Sequence, residues 1–489
     1  MKNKIVSTIK TSAGKLQLSE DAFCKHTIFI GSTDSGKTTS LNVLLRDIIG
    51  YNTEDEKRKV GLLVFDLKGD NTFFKIRKWA KEYGRGDDVI DYCADSKFYF
   101  DPLGGLDSFS KISEYVERLY NIFPSQSSEV YWEQSLRKRF KTVLTYCLFR
   151  HGRMTFKLFL EELREFTTAD SSNSNWRDVM DSVGMVLRTL EKKSKGVTAE
   201  SYEVLRELLE DTRASVNEWQ RLDPRTKSNE LSTMTNLISC FGNPITNGHI
   251  FEGKSKTCLD VGEIVCSGKI VVASFDGISN RQSASAICKL LKSDVYGHIQ
   301  ARKNPSRLVG IVMDEFPLVA TDGENISGDG FNMQTIRSKR GFVIAATQGL
   351  VGVDLAIGES ARRRLMTNFN NVFVFKSNER EVLELVEDLN FCEPQSGKIG
   401  FGSDSQSCNR HEPITLANAP TGYAAIKLAD GFQSNGLVEI TRLFVDTPSM
   451  SADKRESEID KCAKVLRVHL KAIDFNACLN GKFLDKDTL

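Results

Sequence analysis

Residues 31–38 read GSTDSGKT and fit the pattern G-x-x-x-x-G-K-[ST] in full. The apolar run Thr27–Ile30 precedes this loop and the amphipathic run Thr38–Ile49 follows it, as the strand and the helix that such a loop requires. Glycines let the backbone curl until its N–H groups converge on phosphate oxygens, and the start of the helix adds a favourable dipole. The motif therefore predicts a phosphate-binding loop between a strand and a helix of an α/β domain.

The residue types of the loop predict ATP with Mg²⁺ as the ligand. Lys37 is expected to reach the β- and γ-phosphates, and the Thr38 hydroxyl is expected to ligate the metal. The predicted nucleotide-binding residues are those of the loop and the first residues of the helix: Gly31, Ser32, Thr33, Asp34, Ser35, Gly36, Lys37, Thr38 and Thr39.

Acidic and amide side chains at the ends of two later apolar runs supply the other half of such a site. In RLVGIVMDEF, Asp314 is expected to hold the metal shell and Glu315 to polarise the attacking water. A glutamate placed to activate water favours a hydrolase over a kinase. The run GFVIAATQ ends in Gln348, which can sense the γ-phosphate or position the water. The alternatives are solvated loop acids and a polar strand end without a role.

Short apolar runs recur along the chain and predict strands that are buried on both faces, as in a parallel sheet covered by helices. These runs are Thr27–Ile30, Gly61–Phe65, Ile270–Ser274, Leu308–Met313, Phe342–Ala346 and Val372–Phe375. Helical patterns lie between or after them, at Thr38–Ile49, Thr72–Tyr83, Gln282–Arg302 and Glu379–Asp388. This alternation predicts a doubly wound, mostly parallel α/β sheet.

One long stretch interrupts the alternation, because helical spacing replaces strand patterns from about residue 106 to 262. We therefore predict a first part of an ATPase core at 1–105, an inserted all-helical domain at 106–262 and the second part of the core at 263–400. Residues 401–489 are expected to complete or flank the core, with strands at 423–428 and 438–445 and a helix at 456–473.

Composition limits the choice of partners. A net charge of +1 makes no whole-chain case for nucleic acid. Basic stretches at Arg137–Lys141, Lys192–Lys195 and Arg362–Arg364 are more often solvated helix faces, although a ring needs only a few basic residues per subunit to bind DNA. The 11 cysteines form no CxxC pair, so reduced thiols in a cytoplasmic protein are expected. No apolar run approaches the roughly 18 residues that span a bilayer.

Taken together, the motifs resemble those of the type IV secretion coupling proteins (the TraG/TraD family), within the wider HerA/FtsK class of P-loop ATPases. The matching features are His26 before the P-loop strand, the turn DLKGD at 66–70, FDPLGGL at 100–106, Tyr131–Trp132 at the start of the helical insertion, DEF at 314–316, the R-x-x-R-G step at 337–341 and ATQ at 346–348. In the turn, Asp66, Lys68 and Asp70 could border the nucleotide or a partner subunit, or form a salt-bridged turn.

The resemblance implies a motor built as a homo-hexameric ring, with DNA in a central channel and ATP between neighbouring subunits. Arg337 or Arg340 is then a candidate for an arginine finger that reaches the neighbour's γ-phosphate, and Arg362–Arg364 form a second candidate cluster. Unlike most coupling proteins, this sequence predicts no membrane-spanning helix of its own.

Two hypotheses follow from the sequence. The first is an ATP-driven DNA translocase or coupling-type motor of a mobile element, a conjugation system or a defence system. The alternative is a nucleotide-gated assembly or adaptor ATPase that recruits a nuclease, a relaxase or another protein partner. A metabolic small-molecule kinase fits the Asp314–Glu315 pair poorly.

Overall fold

Buried apolar runs build the central sheet of the protein, which we describe from a computed structural model. The structure describes residues 4–68, 72–93, 97–120, 130–168, 174–193, 199–241, 256–275, 281–321, 328–389, 392–393, 409–410, 416–434, 437–440 and 442–444. These residues all belong to one compact unit that spans Met1–Val445. The helix predicted at 456–473 lies outside the described residues.

The strands are short, and most of them were expected from the sequence. In chain order they are β1 (Ile5–Thr11), β2 (Gly14–Ser19), β3 (Thr27–Ile30), β4 (Gly61–Asp66), β5 (Val89–Cys93), β6 (Phe98–Tyr99), β7 (Thr257–Cys258), β8 (Ile270–Ser274), β9 (Val309–Met313), β10 (Gly341–Thr347), β11 (Asn371–Phe375), β12 (Cys392–Glu393), β13 (Asn409–Arg410), β14 (Tyr423–Lys427) and β15 (Val438–Glu439).

Helices connect these strands and form the long segment between β6 and β7. They are α1 (Glu20–Phe23), α2 (Lys37–Gly50), α3 (Thr72–Glu82), α4 (Ile112–Tyr120), α5 (Val130–His151), α6 (Phe156–Thr168), α7 (Ser174–Lys193), α8 (Ala199–Arg221), α9 (Pro224–Phe241), α10 (Val261–Cys266), α11 (Arg281–Ala301), α12 (Phe316–Val319), α13 (Asp329–Arg337), α14 (Val351–Ile357), α15 (Glu359–Met366) and α16 (Arg380–Asp388).

The main sheet has nine strands in the order β15-β14-β11-β3-β10-β9-β4-β8-β5. All neighbours from β11 to β5 pair in parallel, whereas β14 pairs antiparallel with β11 and with β15. The predicted fold class, a doubly wound and mostly parallel α/β sheet, is confirmed. Strand order jumps back and forth along the chain because helices carry each crossover over one face or the other.

Both faces of this sheet are covered, which explains why its strands read as continuous apolar runs. Along β4, Leu63 and Phe65 join one apolar cluster, while Leu62 and Val64 join a second. The second cluster contains the buried side of α2 and α3, and the first contains α11 and most of the long helical segment. The sheet is therefore a middle layer between two sets of helices.

The long helical segment leaves and re-enters the core at one place. Phe98 of β6 pairs with Thr257 of β7, and Tyr99 pairs with Cys258, in a two-stranded parallel ladder. Between these strands the described residues form the helices α4 to α9. No helix in the described ranges is both long enough and apolar enough to cross a bilayer. The domain boundaries expected at 106 and 262 remain predictions.

Candidate active site

The phosphate-binding loop lies at the carboxyl end of β3 and is anchored to both strands beside it. The Ser32 N–H donates to the Lys376 carbonyl after β11 (2.7 Å), and the Gly31 N–H donates to the Thr347 carbonyl of β10 (3.2 Å). Gly36 precedes α2 with φ +100°, and a Cβ there would lie 2.9 Å from the Cα of Gly422. Glycine is therefore required at this position for its backbone angle and for space.

The Lys37 ammonium folds against the loop itself. Its Nζ donates to the carbonyl oxygens of Gly31 (2.5 Å) and Ser32 (2.7 Å). Burial and the nearby Lys68 ammonium together lower the pKa of Lys37 to about 8, against the opposing effect of Asp314 and Glu315. A phosphate brought to this loop would favour the charged form of the lysine, because an opposite charge stabilises it.

The predicted acids follow β9, and a lysine from the adjacent strand lies between them. Lys68, two residues after β4, places its Nζ 2.8 Å from Glu315 Oε1 and 3.4 Å from Asp314 Oδ2. Burial opposes charge on Lys68, but the two carboxylates outweigh it and raise the pKa of this ammonium. The sequence is compatible with Lys68 bordering the nucleotide or a partner subunit, or forming a salt-bridged turn, and in the structure Lys68 contacts both acids.

Gln348 connects the acids to the phosphate-binding loop. Its Nε2 donates to Glu315 Oε1 (3.3 Å), and its Oε1 accepts from the Thr33 hydroxyl (3.3 Å). The loop, Asp314–Glu315, Gln348 and Lys68 thus meet where neighbouring parallel strands end, which is the usual ligand-binding edge of an α/β sheet. The roles assigned to these residues remain predictions, although the structure brings them together.

These side chains border a cleft of about 1010 Å³. Its walls include Ser32, Thr33, Lys68, Glu315 and Gln348. A cleft of this size at a sheet edge can hold a nucleotide-sized ligand.

Arg281 and Glu379 also line the cleft, and the sequence reasoning missed both. Arg281 begins α11, and Glu379 follows β11. Glu379 Oε1 accepts the N–H groups of Leu350 and Val351 at the start of α14 (2.6 Å each). The available signal was position, because each residue follows a strand of the same sheet.

The donor set suits magnesium. Mg²⁺ prefers hydroxyl and carboxylate oxygens, and it is held through few protein ligands together with the phosphates of a nucleotide. Asp314 and Glu315 direct carboxylate oxygens at one ammonium, so this position already accommodates a cation. The metal roles of Thr38, half-buried in the first turn of α2, and Asp314 stay predictions that fit these residues.

The candidate arginine fingers lie near the amino-terminal ends of the strands, opposite the ends that border the cleft. Arg337 ends α13 and is exposed, and Arg340 directly precedes β10, where its guanidinium contacts Glu20 (2.8 Å). Gln348 follows the other end of β10, about 23 Å away for a strand of this length. Neither arginine therefore serves the cleft of its own chain, and a role at a neighbour's cleft remains a prediction.

Most of the basic stretches are engaged in ion pairs within the chain. In the first stretch, Arg137 contacts Glu117 (2.8 Å), Lys138 contacts Glu218, and the buried Arg139 contacts Glu230 (3.0 Å). In the last stretch, Arg362 contacts Asp354 and Arg363 contacts Glu359, each at 2.6 Å. The stretch at 192–195 is not among the side chains that the structure describes.

Two residues of the coupling-protein motifs have structural roles. His26 is buried, with Nε2 2.8 Å from the Met333 carbonyl and Nδ1 accepting the Val343 N–H at 3.1 Å. Asp66 Oδ2 accepts the N–H of Thr72 at the start of α3 (3.1 Å). Asp70 lies outside the described residues.

Known protein structures share this fold at low sequence identity. No protein-family model and no curated protein matches the sequence. The trigonal form of the bacterial conjugative coupling protein TrwBdeltaN70 in complex with sulphate is similar, with a TM-score of 0.55, 14% identity and coverage of 88% of this chain and 87% of that chain. Plasmid coupling protein TrwB in complex with ADP and Mg²⁺ has a TM-score of 0.53 at 14% identity. This alignment also covers 88% of this chain and 87% of that chain.

The sheet and the loop define a P-loop NTPase fold of the RecA-like kind. Within that class, the fold is shared with TrwB, whose unbound monoclinic form also has a TM-score of 0.53 over 88% of each chain. The resemblance to coupling proteins that the motifs indicated is confirmed at the level of the fold.

Proposed function

We propose that this protein is a Mg²⁺-dependent ATPase that assembles into a ring and moves DNA, as a coupling-type motor of a conjugation, mobile-element or defence system. The proposal depends mainly on two hydrogen bonds of Gln348 at the carboxyl ends of the strands. One connects it to Thr33 of the phosphate-binding loop, and the other connects it to Glu315. The fold shared with TrwB supports the proposal, because TrwB is a bacterial conjugative coupling protein and one of its structures contains ADP and Mg²⁺.

Each site residue has a defined task in this proposal. Lys37 neutralises the β- and γ-phosphates, and Thr38 and Asp314 hold the metal shell. Glu315 accepts a proton from the attacking water, and Gln348 orients that water beside it. Mg²⁺ supplies a charge that screens the phosphates from the carboxylates and stabilises the transferring phosphoryl group.

An apolar surface next to the cleft supports assembly into a ring. Val351 and Leu355 of α14 are 41% and 76% exposed, and Gly352 between them lines the cleft. Exposed apolar side chains beside a polar site are typical of a protein contact. A neighbouring subunit that covers α14 would bring its own arginine, Arg337 or Arg340, toward the γ-phosphate.

The test is ATP hydrolysis measured with no DNA, with single-stranded DNA and with duplex DNA, together with direct DNA binding. The proposal expects stimulation by at least one form of DNA, and binding that weakens steeply as salt rises because phosphate contacts release counterions. No stimulation and no binding by any form would contradict DNA movement while leaving the ATPase intact.

The second candidate is the nucleotide-gated adaptor, and a separate surface favours it. Met185 and Val186 of α7 and Val204 of α8 are each more than half exposed on helices that contact each other. By contrast, Arg137, Lys138 and Arg139 of α5 are engaged with acids of the same chain. A Glu315→Gln variant discriminates, because an adaptor would still recruit its partner with ATP bound and no turnover.

A further inference from the structure

Lys68 lines the cleft, and the proposed mechanism assigns it no task. It follows β4, which pairs with β9, and its side chain is 34% exposed where it meets the acids after β9. The ammonium donates to Glu315 Oε1 and lies near Asp314 Oδ2. A single flexible lysine therefore engages both carboxylates that metal binding and water activation require.

This contact opposes the task of Glu315. Its Oε1 accepts from Lys68 at 2.8 Å and from Gln348 at 3.3 Å, so the oxygen nearest the amide is already engaged. The Lys68 ammonium therefore occupies a position at Oε1 that the attacking water would need. Water can approach Oε1 from that side only after the ammonium moves away.

The same contact also competes with the metal. Lys68 lies 3.4 Å from Asp314 Oδ2, the acid expected to hold the metal shell. A divalent cation at Asp314 repels a neighbouring ammonium, since like charges at such distances disfavour each other. Asp314 would therefore hold Lys68 less tightly if it also held a divalent cation.

A phosphate on the loop would give the ammonium an alternative partner in the same cleft. Lys68 shares its walls with Ser32 and Thr33 of the phosphate-binding loop, and its charge acts on Lys37. A lysine carries its charge on a flexible stem and binds phosphate as a point charge. A γ-phosphate on this loop would offer the ammonium an anionic group that a nucleoside diphosphate lacks.

We infer that Lys68 is a positioning residue that exchanges partners with the state of the nucleotide. With ADP in the cleft it pairs with Glu315 and Asp314, and with ATP it pairs with the γ-phosphate and releases Glu315 to the attacking water. The inference rests on the proposed ATPase function and adds a built-in distinction between ATP and ADP. The competing interpretation is a permanent ion pair that only stabilises the turn.

The experiment compares nucleotide affinities in the full chain. Dissociation constants are measured with Mg²⁺ for ADP and for a non-hydrolysable imido analogue of ATP, in the wild type, Lys68→Met and Lys68→Arg. Lys68→Met removes the charge and keeps the stem, whereas Lys68→Arg keeps the charge. Lys78→Met on the exposed side of α3 is the matched control.

We expect Lys68→Met to weaken binding of the ATP analogue about tenfold, the effect of one charge-assisted contact, and to leave ADP binding unchanged or tighter. Its kcat for ATP should fall about tenfold or more, because the transferring phosphoryl group loses a positively charged contact. Lys68→Arg should restore most of the preference for the ATP analogue. Retained ADP binding shows that the variant is folded.

An unchanged ratio of the two affinities in Lys68→Met, with wild-type kcat, overturns the exchange of partners and leaves the ATPase proposal standing. Equal weakening of both nucleotides overturns it as well, because a fixed ion pair has that effect. A wild-type protein that binds neither nucleotide contradicts both proposals.

Discussion

The amide of Gln348 donates a hydrogen bond to Glu315 Oε1 across 3.3 Å, from the end of β10 to the end of β9. Only the Nε2 atom can donate to a carboxylate, so the opposite end of the amide faces the phosphate-binding loop, where it accepts from Thr33. Gln348 is therefore oriented by both halves of the site. The phosphate-binding loop and the acid are connected through one side chain.

This connection predicts that Gln348→Ala slows hydrolysis without loss of nucleotide binding. In the proposed mechanism the amide orients water and Glu315 but contributes little to binding the phosphates, so kcat should fall on the order of 10- to 100-fold. The dissociation constant of the imido analogue should stay within about twofold. Steady-state phosphate release and analogue binding check it.

Thr33→Ala is the matched control for Gln348, because it removes only the hydrogen bond on the loop side. Its effect on kcat should be several-fold smaller. Equal losses in analogue binding and in kcat for Gln348→Ala would show that the glutamine supports the loop and not the chemistry.

The position of Arg337 predicts that active sites are shared between subunits. Arg337→Ala alone and Lys37→Ala alone should each lose most hydrolysis. Mixed before assembly, the two variants should recover activity, because an intact loop on one chain meets an intact arginine on the other. Phosphate release across a range of mixing ratios is the measurement.

Arg340→Ala serves as the comparison in the same mixing experiment. Arg340 contacts Glu20 of its own chain, so its loss should lower stability and should not be rescued by mixing. Recovery with Arg340→Ala and none with Arg337→Ala would transfer the finger role to Arg340. Recovery with neither would place the catalytic cation within the chain.

The environment of His26 predicts a loss of stability in mild acid. Burial lowers the pKa of His26 to about 4, and its contacts fix the neutral form, because Nδ1 must accept from the Val343 N–H. The unfolded chain binds a proton near pH 6.5, so stability falls as pH drops from about 6.5 to 4, by up to about 3 kcal/mol. Urea midpoints at pH 7.5 and 5.0 measure it.

A His26→Asn variant isolates this contribution. It should be less stable than the wild type at pH 7.5, because a buried hydrogen bond is lost, but it should lose less further stability on acidification. An identical loss in both proteins between pH 7.5 and 5.0 would show that other groups control the acid response.

The buried ion pair of α5 predicts a structural role for the first basic stretch. The side chains of Arg139 and Glu230 are 2% and 4% exposed, so Arg139→Ala leaves a buried carboxylate without its partner. We expect a loss of about 3–5 kcal/mol in the free energy of unfolding. Chemical denaturation measures it.

Lys141→Ala, at an exposed position on the same helix, should change stability by less than about 0.5 kcal/mol. The double variant Arg139→Met/Glu230→Leu should recover most of the loss, because it removes both charges together. A stable Arg139→Ala protein with weakened DNA binding would instead return this stretch to nucleic-acid recognition.

Sequence patterns predicted the central strands of the main sheet better than its outer strand β5 or the separate hairpin of β1 and β2. Strands β4, β9 and β10 are buried along their whole length and therefore read as unbroken apolar runs. β5 is the outermost strand at one side of the sheet. It carries Asp91 in its middle and is only partly buried, so its apolar run is interrupted. The hairpin of β1 and β2 alternates in burial and shows no comparable run.

For the site, the sequence indicated which residues lie at the carboxyl ends of the strands. It did not indicate how their side chains contact one another. Asp314, Glu315 and Gln348 were recognisable because each ends an apolar run. Glu379 was not, because it follows a strand without any motif. Contacts between distant residues are invisible to local patterns. Arg139 pairs with Glu230, 91 residues away, so its charge run resembled a solvated face.

The most direct test of the account is phosphate release from ATP with Mg²⁺, measured side by side for the wild type and Glu315→Gln, with and without DNA. The account predicts DNA-stimulated hydrolysis by the wild type. It also predicts a loss of at least about 100-fold in Glu315→Gln, with binding of the imido analogue retained. Hydrolysis that survives in Glu315→Gln, or a wild type that releases no phosphate with any form of DNA, would contradict it.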